Sequence, residues 1–387
     1  MHRRQIFLLV VVFGLGIAAL TTIVVLQQEK LAHDMATREN VLLSAPRANM
    51  FPLAVMPKKM GRTGSYPIRS FSKDCTIECF RDTIADFLDF YEKHPVENGD
   101  FGNRYPIYPL VSGDGFRYHA YYTCDETKCD FNPLSIDQPI VIFVKTDEEY
   151  LVKFFEQKAL QLRHPYIVIT HNGDNSPDSK LYQYLKHDLL QYWAGTNLKI
   201  PDNLPQDILE LCNNKLISIP IGLTNRYNPL GNPQPLISVM KNHNRKKDKL
   251  VLSAFSTGTN SGERKPIQDM FANQNWVSKP AKPATLDDFY QLLADHKFFL
   301  SPFGNGIDCH RTWEGLYLGS IPIIRRVKEH RIWETLFDGL PVLFVDKWSD
   351  VTEELLNNKY KEFEQRNYVW DKLFMTYWVT RLSIHPQ

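Results

Sequence analysis

Apolar residues along the chain follow two alternating patterns: short unbroken runs, and longer stretches with an apolar residue every three or four positions. The runs are rich in Val, Ile and Phe, which is typical of buried strands, and the periodic stretches are typical of amphipathic helices. Because the two patterns take turns, the sequence predicts parallel sheets covered by helices. The predicted strands are Pro139–Lys145, Tyr166–Thr170, Leu216–Gly222, Lys249–Ser256, Lys297–Pro302, Ser320–Arg326 and Pro341–Val345.

The helical pattern is clearest in Thr76–Lys93, which would place a row of apolar side chains on one face. A further helix is expected to follow the strand Lys249–Ser256 and to end near Asn273. The other predicted helices are Asp147–Leu160, Ser179–Trp193, Asp308–Leu318, Glu329–Phe337 and Tyr360–Leu382.

A stretch dense in Pro, Gly and Asn, Asn225–Pro235, interrupts this alternation and is followed by a basic segment. We interpret it as a linker between an N-terminal α/β domain, residues 71–235, and a C-terminal α/β domain, residues 236–387. The alternative is a long surface loop within one domain. Since open α/β sheets bind ligands at the C-terminal ends of their strands, two such domains suggest a ligand in a cleft between them.

The first residues carry a targeting signal. Ile6–Leu26 is apolar and uncharged, long enough to span a bilayer as a helix, and preceded by Arg3 and Arg4. The positive charges predict a cytoplasmic tail of residues 1–5 and a lumenal remainder, with a polar stem at 27–70. The alternative is a cleaved signal peptide, because Ala18 and Ala19 are small residues late in the stretch.

The hydrophobic content and the net charge of the chain limit the classes of protein to which it can belong. Hydrophobic residues make up 43% of the 387 positions and the formal net charge is +1, so a folded chain is expected and a nucleic-acid partner is not. An oxidising lumen suits disulfides among the paired cysteines Cys75/Cys79 and Cys124/Cys129, with connectivity left open and a zinc site as the weaker alternative. Cys212 and Cys309 are expected to be buried thiols.

Chemistry-bearing residues cluster after the strand that ends at Pro302. Gly304 and Gly306 would let the backbone turn and approach a ligand, and Asp308 would cap a helix beginning at Cys309. The helix N-terminus and Arg311 suit an anion such as a diphosphate, and Glu314 lies one turn further along to accept bonds from sugar hydroxyls. The alternative is a capped helix with an ordinary Arg–Glu pair.

Two other strand ends carry polar loops. Arg264 and Lys265 stand at a helix start after a Gly-rich loop and form a second candidate anion site, although a plain surface loop is equally compatible. His171 and Asp174 follow a strand of the N-terminal domain and form a candidate general-base pair, with turn chemistry as the alternative. No Asp-x-Asp or other metal motif occurs, so no metal site is predicted.

The stretch "SPFGNGIDCHRTWEGLYLGSIPII", Ser301–Ile324, resembles the signature of exostosin-like glycosyltransferases of the family 47 type. The resemblance implies a GT-B fold with two Rossmann-like domains, in which the C-terminal domain binds a nucleotide-sugar and the N-terminal domain binds the acceptor. By that match the diphosphate lies on Arg264 and Arg311, and Glu314 holds sugar or ribose hydroxyls. Lys265, Gly304, Gly306 and His310 are further candidate donor-binding residues. Phe303 stands where the family often has a basic residue.

The implied activity is transfer of a sugar from a UDP- or GDP-linked donor to a glycan or glycoprotein hydroxyl, in the Golgi or ER lumen, by an inverting, metal-independent single displacement without a cofactor. A homodimer is also considered. An α-1,3-fucosyltransferase-like enzyme is the nearest alternative, although its Tyr-x-x-Glu-Lys element is absent near Cys309–Trp313. A non-catalytic lumenal glycan-binding or scaffold protein with the same fold is the alternative from another class.

Overall fold

The computed structural model describes residues 70–93, 104, 106–242, 247–280 and 285–382. It contains two five-stranded sheets in which every strand pair is parallel. The predicted α/β class with two parallel sheets is therefore confirmed. The predicted membrane anchor and the stem up to residue 69 lie outside the described residues. Within the described part of the chain, no helix has the length and apolar character needed to cross a membrane.

The first five strands along the chain form one sheet and the last five form the other. Most of the helices lie between strands in the sequence. The strands are β1 (Tyr122–Cys124), β2 (Ile140–Lys145), β3 (Tyr166–His171), β4 (Leu190–Gly195), β5 (Leu216–Ser218), β6 (Lys249–Leu252), β7 (Val277–Ser278), β8 (His296–Leu300), β9 (Ile321–Arg325) and β10 (Leu343–Val345). The helices are α1 (Ile77–Lys93), α2 (Gly113–His119), α3 (Glu148–Gln157), α4 (Gln206–Lys215), α5 (Gln234–Asn242), α6 (Ser261–Met270), α7 (Leu286–Asp295), α8 (His310–Tyr317), α9 (Arg331–Glu334), α10 (Glu353–Glu364) and α11 (Met375–Arg381).

The first sheet has the order β1-β2-β3-β4-β5, so each strand is added on the same side of the previous one. Right-handed crossovers that all run in one direction place their connections on one face of the sheet. Successive side chains of a strand point to opposite faces of the sheet, so each strand contributes to two cores. Ile142 and Trp193 belong to a core beneath α3 and α4, whereas Phe143 and Ile169 join the larger core that also holds the strands of the second sheet.

The second sheet has the order β10-β9-β8-β6-β7. The chain leaves β6 for β7 on one side, crosses back to β8 on the other side, and then continues outward to β9 and β10. Strands β6 and β8 are therefore neighbours whose following loops diverge. This divergence is a topological switch point, the feature that positions the site described below.

The largest correction to the predicted elements is at Ser179–Trp193, which was expected to be one helix. The chain forms a 3-10 helix at Ser179–Lys186 and then strand β4. The apolar spacing of this segment suits a helix, but Trp193 is needed in the sheet, where its ring contacts Phe155 and its Nε1 donates to Oγ1 of Thr170 at 2.9 Å. Tertiary contacts outweigh local propensity here.

The predicted C-terminal helix Tyr360–Leu382 is also wrong in detail. It is divided into the end of α10, a 3-10 helix at Trp370–Leu373 and α11. Trp370, which begins the 3-10 helix, is buried, and its ring stacks on Phe80 of α1 while its Nε1 donates to the carbonyl of Cys75 at 2.9 Å.

Part of the predicted linker and the segment after it are helical, since α5 runs from Gln234 to Asn242 and contacts α1 and α7. Helix α1 precedes the first sheet in sequence but packs against α5 and α10, which flank the second sheet. The division of the chain at residues 235 and 236 stays a prediction.

The four paired cysteines form two short-range disulfides, Cys75–Cys79 and Cys124–Cys129. Each bond therefore lies within a pair rather than between pairs, which the sequence had left open. Cys212 is a buried free thiol, as expected, and Cys309 is a free thiol that is only partly buried.

Candidate functional site

The loops that follow β6 and β8, residues 253–260 and 301–309, flank the switch point of the second sheet. Open α/β sheets bind ligands at such a position because the diverging connections leave a crevice above the strand ends. The two loops are tied together by Asn260, whose Nδ2 donates to the carbonyl of Gly304 at 2.9 Å. The two polar loops that the sequence singled out are thus brought to one place.

Arg264 extends from α6 across the same gap and is almost fully buried. Its Nε donates to the carbonyl of Phe303 at 2.8 Å and its Nη1 to the carbonyl of Ser256 at 2.9 Å, while Nη2 lies 3.5 Å from the carbonyl of Pro302. A guanidinium has five donors, and these bonds use most of them. Arg264 therefore holds the two loops together, and its contact with a diphosphate stays a prediction.

Lys265 is the predicted site residue that the structure does not bring to this place. Its ammonium is exposed on the outer face of α6 and lies 3.5 Å from a carboxylate oxygen of Asp269. On a helix, adjacent residues point in different directions, so Arg264 and Lys265 do not share a face.

Gly304 and Gly306 are not among the glycines with a positive φ, so neither is required by a left-handed backbone. Their predicted approach to a ligand stays a prediction. At both positions the missing Cβ lets other atoms of the protein come close to the backbone. A Cβ on Gly306 would lie 2.7 Å from Nδ2 of Asn197 and 2.8 Å from the carbonyl oxygen of Asp174. A Cβ on Gly304 would lie 3.1 Å from Nη2 of Arg264.

The prediction that Asp308 caps helix α8 is also wrong. The helix begins at His310, and the cap position is held by Cys309 without a side-chain hydrogen bond. The Asp308 carboxylate is buried instead. Its Oδ2 accepts the N–H of Ile221 at 2.8 Å, and its two oxygens lie 3.0 and 3.1 Å from Nε1 of Trp313.

Residues 304–310, which we name the bridging loop, are bound mainly by segments that follow strands of the first sheet. The N–H of Asp308 donates to Oδ1 of Asn197 at 2.9 Å, and Nδ2 of Asn305 donates to Oδ2 of Asp174 at 3.0 Å. Asn197 has a left-handed backbone, with φ of 54°. The bridging loop thus joins the C-terminal strand ends of both sheets.

Burial of the Asp308 carboxyl raises its pKa to about 7. The folded state therefore keeps a proton that the unfolded state releases near pH 4, so the free energy of unfolding should fall as the pH rises from about 4 to 7. We expect Asp308→Asn to lose this contribution, which is at most about 1.4 kcal/mol per pH unit for one proton. Urea denaturation of both proteins across this range measures it. Parallel pH curves would contradict the assignment.

Arg311 is the least satisfied charged group of the site. No described residue forms a hydrogen bond or ion pair with its guanidinium, and its Nε is sealed from solvent without a partner. The guanidinium carbon lies 6.0 Å from the ring centroid of Phe289. Burial lowers the pKa of Arg311, yet the side chain is partly exposed, which describes a cation in a recess. Such a group favours an anionic ligand.

Glu314 lies one turn beyond Arg311 on α8 and is largely buried. Its Oε1 accepts a hydrogen bond from the hydroxyl of Tyr290 on α7 at 3.2 Å. Burial raises the pKa of Glu314, while Arg311 and the Tyr290 hydroxyl act in the opposite direction. The carboxyl is therefore oriented by α7, and neither of its oxygens is a buried atom lacking a partner.

His171 and Asp174 do not form the predicted pair. Nε2 of His171 donates to the carbonyl of Pro220 at 3.1 Å, and its Nδ1 accepts the N–H of Asn172 at 2.7 Å. Both ring nitrogens are occupied, and burial lowers the pKa of His171 to about 4. Asp174 is exposed and belongs with Asn305 of the bridging loop. The roles of both residues in catalysis stay predictions.

His310 connects α8 to the first sheet. Its Nδ1 donates to the carbonyl of Gly222 at 2.8 Å. Gly222 has φ of +65° and presses against the backbone of Val111, where a Cβ would lie 2.3 Å from the carbonyl oxygen, so only glycine fits. Burial lowers the pKa of His310, and both the Gly222 carbonyl and the charge of Asp174 oppose this shift.

Asn197 and Tyr290 are site residues that the sequence reasoning missed. Asn197 follows β4, which was predicted to be helical, so its position at a strand end was hidden. Tyr290 lies on α7, for which no prediction was made. Among the described residues, no group of three or more His, Cys, Asp and Glu side chains is arranged to hold a metal ion.

Comparison with known proteins gives limited matches. No curated protein sequence is significantly similar to the chain. A UDP-GlcNAc 2-epimerase from Methanocaldococcus jannaschii shares 12% identity over 59% of this chain and 71% of that one, with a TM-score of 0.27. The pneumococcal O-GlcNAc transferase GtfA, solved with UDP and GlcNAc, shares 14% identity over 63% of this chain and 53% of that one, also with a TM-score of 0.27. Likeness at this level says nothing about activity.

A family model gives the more specific match. The model described as "RXYLT1 C-terminal domain" matches residues 239–384, less than half of the chain. The matched part contains α6, the bridging loop and α8. It is this C-terminal part of the chain that is similar to the RXYLT1 C-terminal domain.

Proposed function

We propose that the chain is a glycosyltransferase that moves a sugar from a nucleotide-sugar donor to a hydroxyl group of a glycan or glycoprotein. The observation that carries the proposal is Arg311, a recessed guanidinium that forms no hydrogen bond or ion pair with any described residue, beside the N-terminus of α8 at the switch point. A helix N-terminus and a guanidinium together suit a diphosphate.

The chemistry of sugar transfer needs what this site supplies. When the bond from the anomeric carbon to phosphate breaks, negative charge grows on the leaving diphosphate, and a positive group fixed in a recess stabilises that charge. Arg311 would supply the charge. Glu314, oriented by Tyr290, would accept hydrogen bonds from sugar or ribose hydroxyls. Arg264 would act indirectly, because it holds the loops after β6 and β8 in place.

The family match supports the same class of reaction, since the matching family is xylosyltransferase-like. We extend the proposal with features that rest on the sequence alone. These are a GT-B arrangement, an inverting displacement, and a lumenal position in the Golgi or ER behind a single-pass anchor at Ile6–Leu26.

Nucleotide binding tests the proposal directly. We expect UDP or GDP, but not CMP, to raise the thermal unfolding midpoint of the full-length chain, because a ligand that binds only the folded state stabilises it by about 2.7 kcal/mol at 100 times its Kd. Inorganic phosphate at equal concentration is the control for an unspecific anion effect.

Donor hydrolysis then separates the alternatives. Cleavage of UDP-xylose or UDP-GlcNAc by the full-length chain would support a UDP-sugar enzyme, whereas cleavage of GDP-fucose alone would favour the fucosyltransferase-like alternative. If no nucleoside diphosphate shifts the midpoint and no donor is cleaved, the non-catalytic alternative stands.

A further inference from the structure

Of the two ring nitrogens of His310, Nδ1 forms a hydrogen bond with a described residue and Nε2 does not. Nδ1 donates to the Gly222 carbonyl at 2.8 Å, and a carbonyl oxygen only accepts, so the proton of the neutral ring is on Nδ1. Nε2 then carries the lone pair. No described residue forms a hydrogen bond with Nε2, and the atom is not among those sealed from solvent. A tethered imidazole with an open basic nitrogen is the arrangement of a general base.

The surroundings keep this ring in its basic form. Burial lowers the pKa of His310, which favours the neutral ring, and the side chain is partly exposed. Arg311, the next residue of α8, is likewise partly exposed, and both residues belong to the first turn of the helix.

The charged and titratable groups around His310 come from three elements. Asp174, in the loop after β3, acts on His310 as a negative charge, and it would stabilise the imidazolium that forms when the ring takes a proton. His171, at the end of β3, is a neutral neighbour with its pKa near 4. Arg311 and Glu314 extend from the same helix as His310.

We propose that His310 is the general base of the transfer, a role that rests on the function proposed above. Nε2 takes the proton of the acceptor hydroxyl as that oxygen forms its bond to the anomeric carbon. The bond from the anomeric carbon to the donor phosphate breaks, and its electron pair leaves with the nucleoside diphosphate beside Arg311. Asp174 is a positioning residue for this step, paired electrostatically with His310 instead of His171.

The other candidate bases lack one of these features. Both nitrogens of His171 are occupied by backbone groups. The Asp114 carboxyl at the N-terminus of α2 is deeply buried, with Oδ1 bonded to Asn172. Among the described titratable side chains that surround the bridging loop, His310 alone combines a fixed tautomer, a ring nitrogen with a free lone pair and partial exposure.

Two amide substitutions separate a catalytic role from a structural one. Asn places its Nδ2 where His has Nδ1, so His310→Asn keeps the bond to Gly222 and removes the base, whereas His310→Gln loses the tether. With the donor that the wild type hydrolyses among UDP-xylose, UDP-GlcNAc and GDP-fucose, we expect kcat of His310→Asn to fall about 100-fold or more. KM and the UDP-induced midpoint shift should change by less than about threefold, since donor contacts remain.

The pH profile and chemical modification complete the test. In the wild type, kcat/KM should fall as acid protonates His310, and this acid limb should be absent in His310→Asn. Diethylpyrocarbonate, which acylates imidazole nitrogens with a free lone pair, should modify His310 and not His171, and UDP should protect His310. A variant His310→Asn with wild-type kcat, or a His310 that resists the reagent, would overturn the role while leaving the glycosyltransferase proposal intact. Absence of both donor cleavage and nucleotide binding in the wild type would instead overturn the proposed function itself, and this role with it.

Discussion

Replacing Arg311 with Met should weaken binding of the nucleoside diphosphate by about 10- to 100-fold, since a hydrogen bond to a charged group contributes about 1.5–3 kcal/mol. The same change should leave the stability of the ligand-free protein equal or higher. The reason is that the guanidinium has no hydrogen-bond or ion-pair partner among the described residues and its Nε is sealed without a hydrogen bond. Removing a charge from such a place relieves a desolvation cost.

The measurement is paired. Isothermal titration with UDP or GDP gives the affinity, and urea denaturation without ligand gives the free energy of unfolding. Lys265→Met is the matched control, because Lys265 is an exposed cation on the neighbouring helix α6, and neither quantity should change by more than experimental error. An Arg311→Met variant that keeps its affinity, or that loses more than about 1 kcal/mol of ligand-free stability, would contradict the role given to Arg311.

Replacing Arg264 with Met should have the opposite profile, a large loss of stability. The carbonyl of Phe303 would lose a charged donor in a buried place and that of Ser256 one in a partly buried place, and each such loss costs about 1–3 kcal/mol when the group is buried. With the Pro302 contact included, we expect a total loss of about 3–5 kcal/mol, measured by urea denaturation. Nucleotide affinity should fall as well, because the bridging loop would lose its support.

The sequence prediction for Arg264 leads to a different result. If this side chain contacts the diphosphate and does little else, Arg264→Met would lose affinity and keep its stability. Arg264→Lys is the informative intermediate, because an ammonium keeps the charge but cannot reproduce the planar fork that reaches carbonyls on two loops. We expect it to recover only part of the lost stability.

The fold could be predicted where the strands are uniformly apolar. The runs behind β2, β3, β6, β8 and β9 are unbroken and β-branched or aromatic, and such segments have few alternatives to a buried strand. Strand β4 was missed because its residues Leu190 and Trp193 continue the helical spacing of the segment before them. Only the neighbouring strands, which supply the contacts to Trp193, decide its structure.

The candidate site could be predicted as a location and only in part as a set of contacts. The loop with its glycines and the sequence from Cys309 to Glu314 are local signals, so the switch-point cluster was found. The partners of Asp308 and His310 are not local. Ile221, Gly222 and Asn197 follow strands of the other sheet, and nothing in a single sequence pairs them with the bridging loop. That is why Asp308 was assigned to a helix cap and His171 to the base.

The bridging loop also limits how such a protein can be divided or recombined. The same few residues lead into helix α8 and form hydrogen bonds with Asn197, Ile221 and Gly222, which follow strands of the other sheet. An exchange of one half for a homologous half would therefore bring a foreign surface to Asp308 and His310 at once. For this chain the two sheets are not interchangeable modules, and substitutions on either side of the loop are constrained to change together.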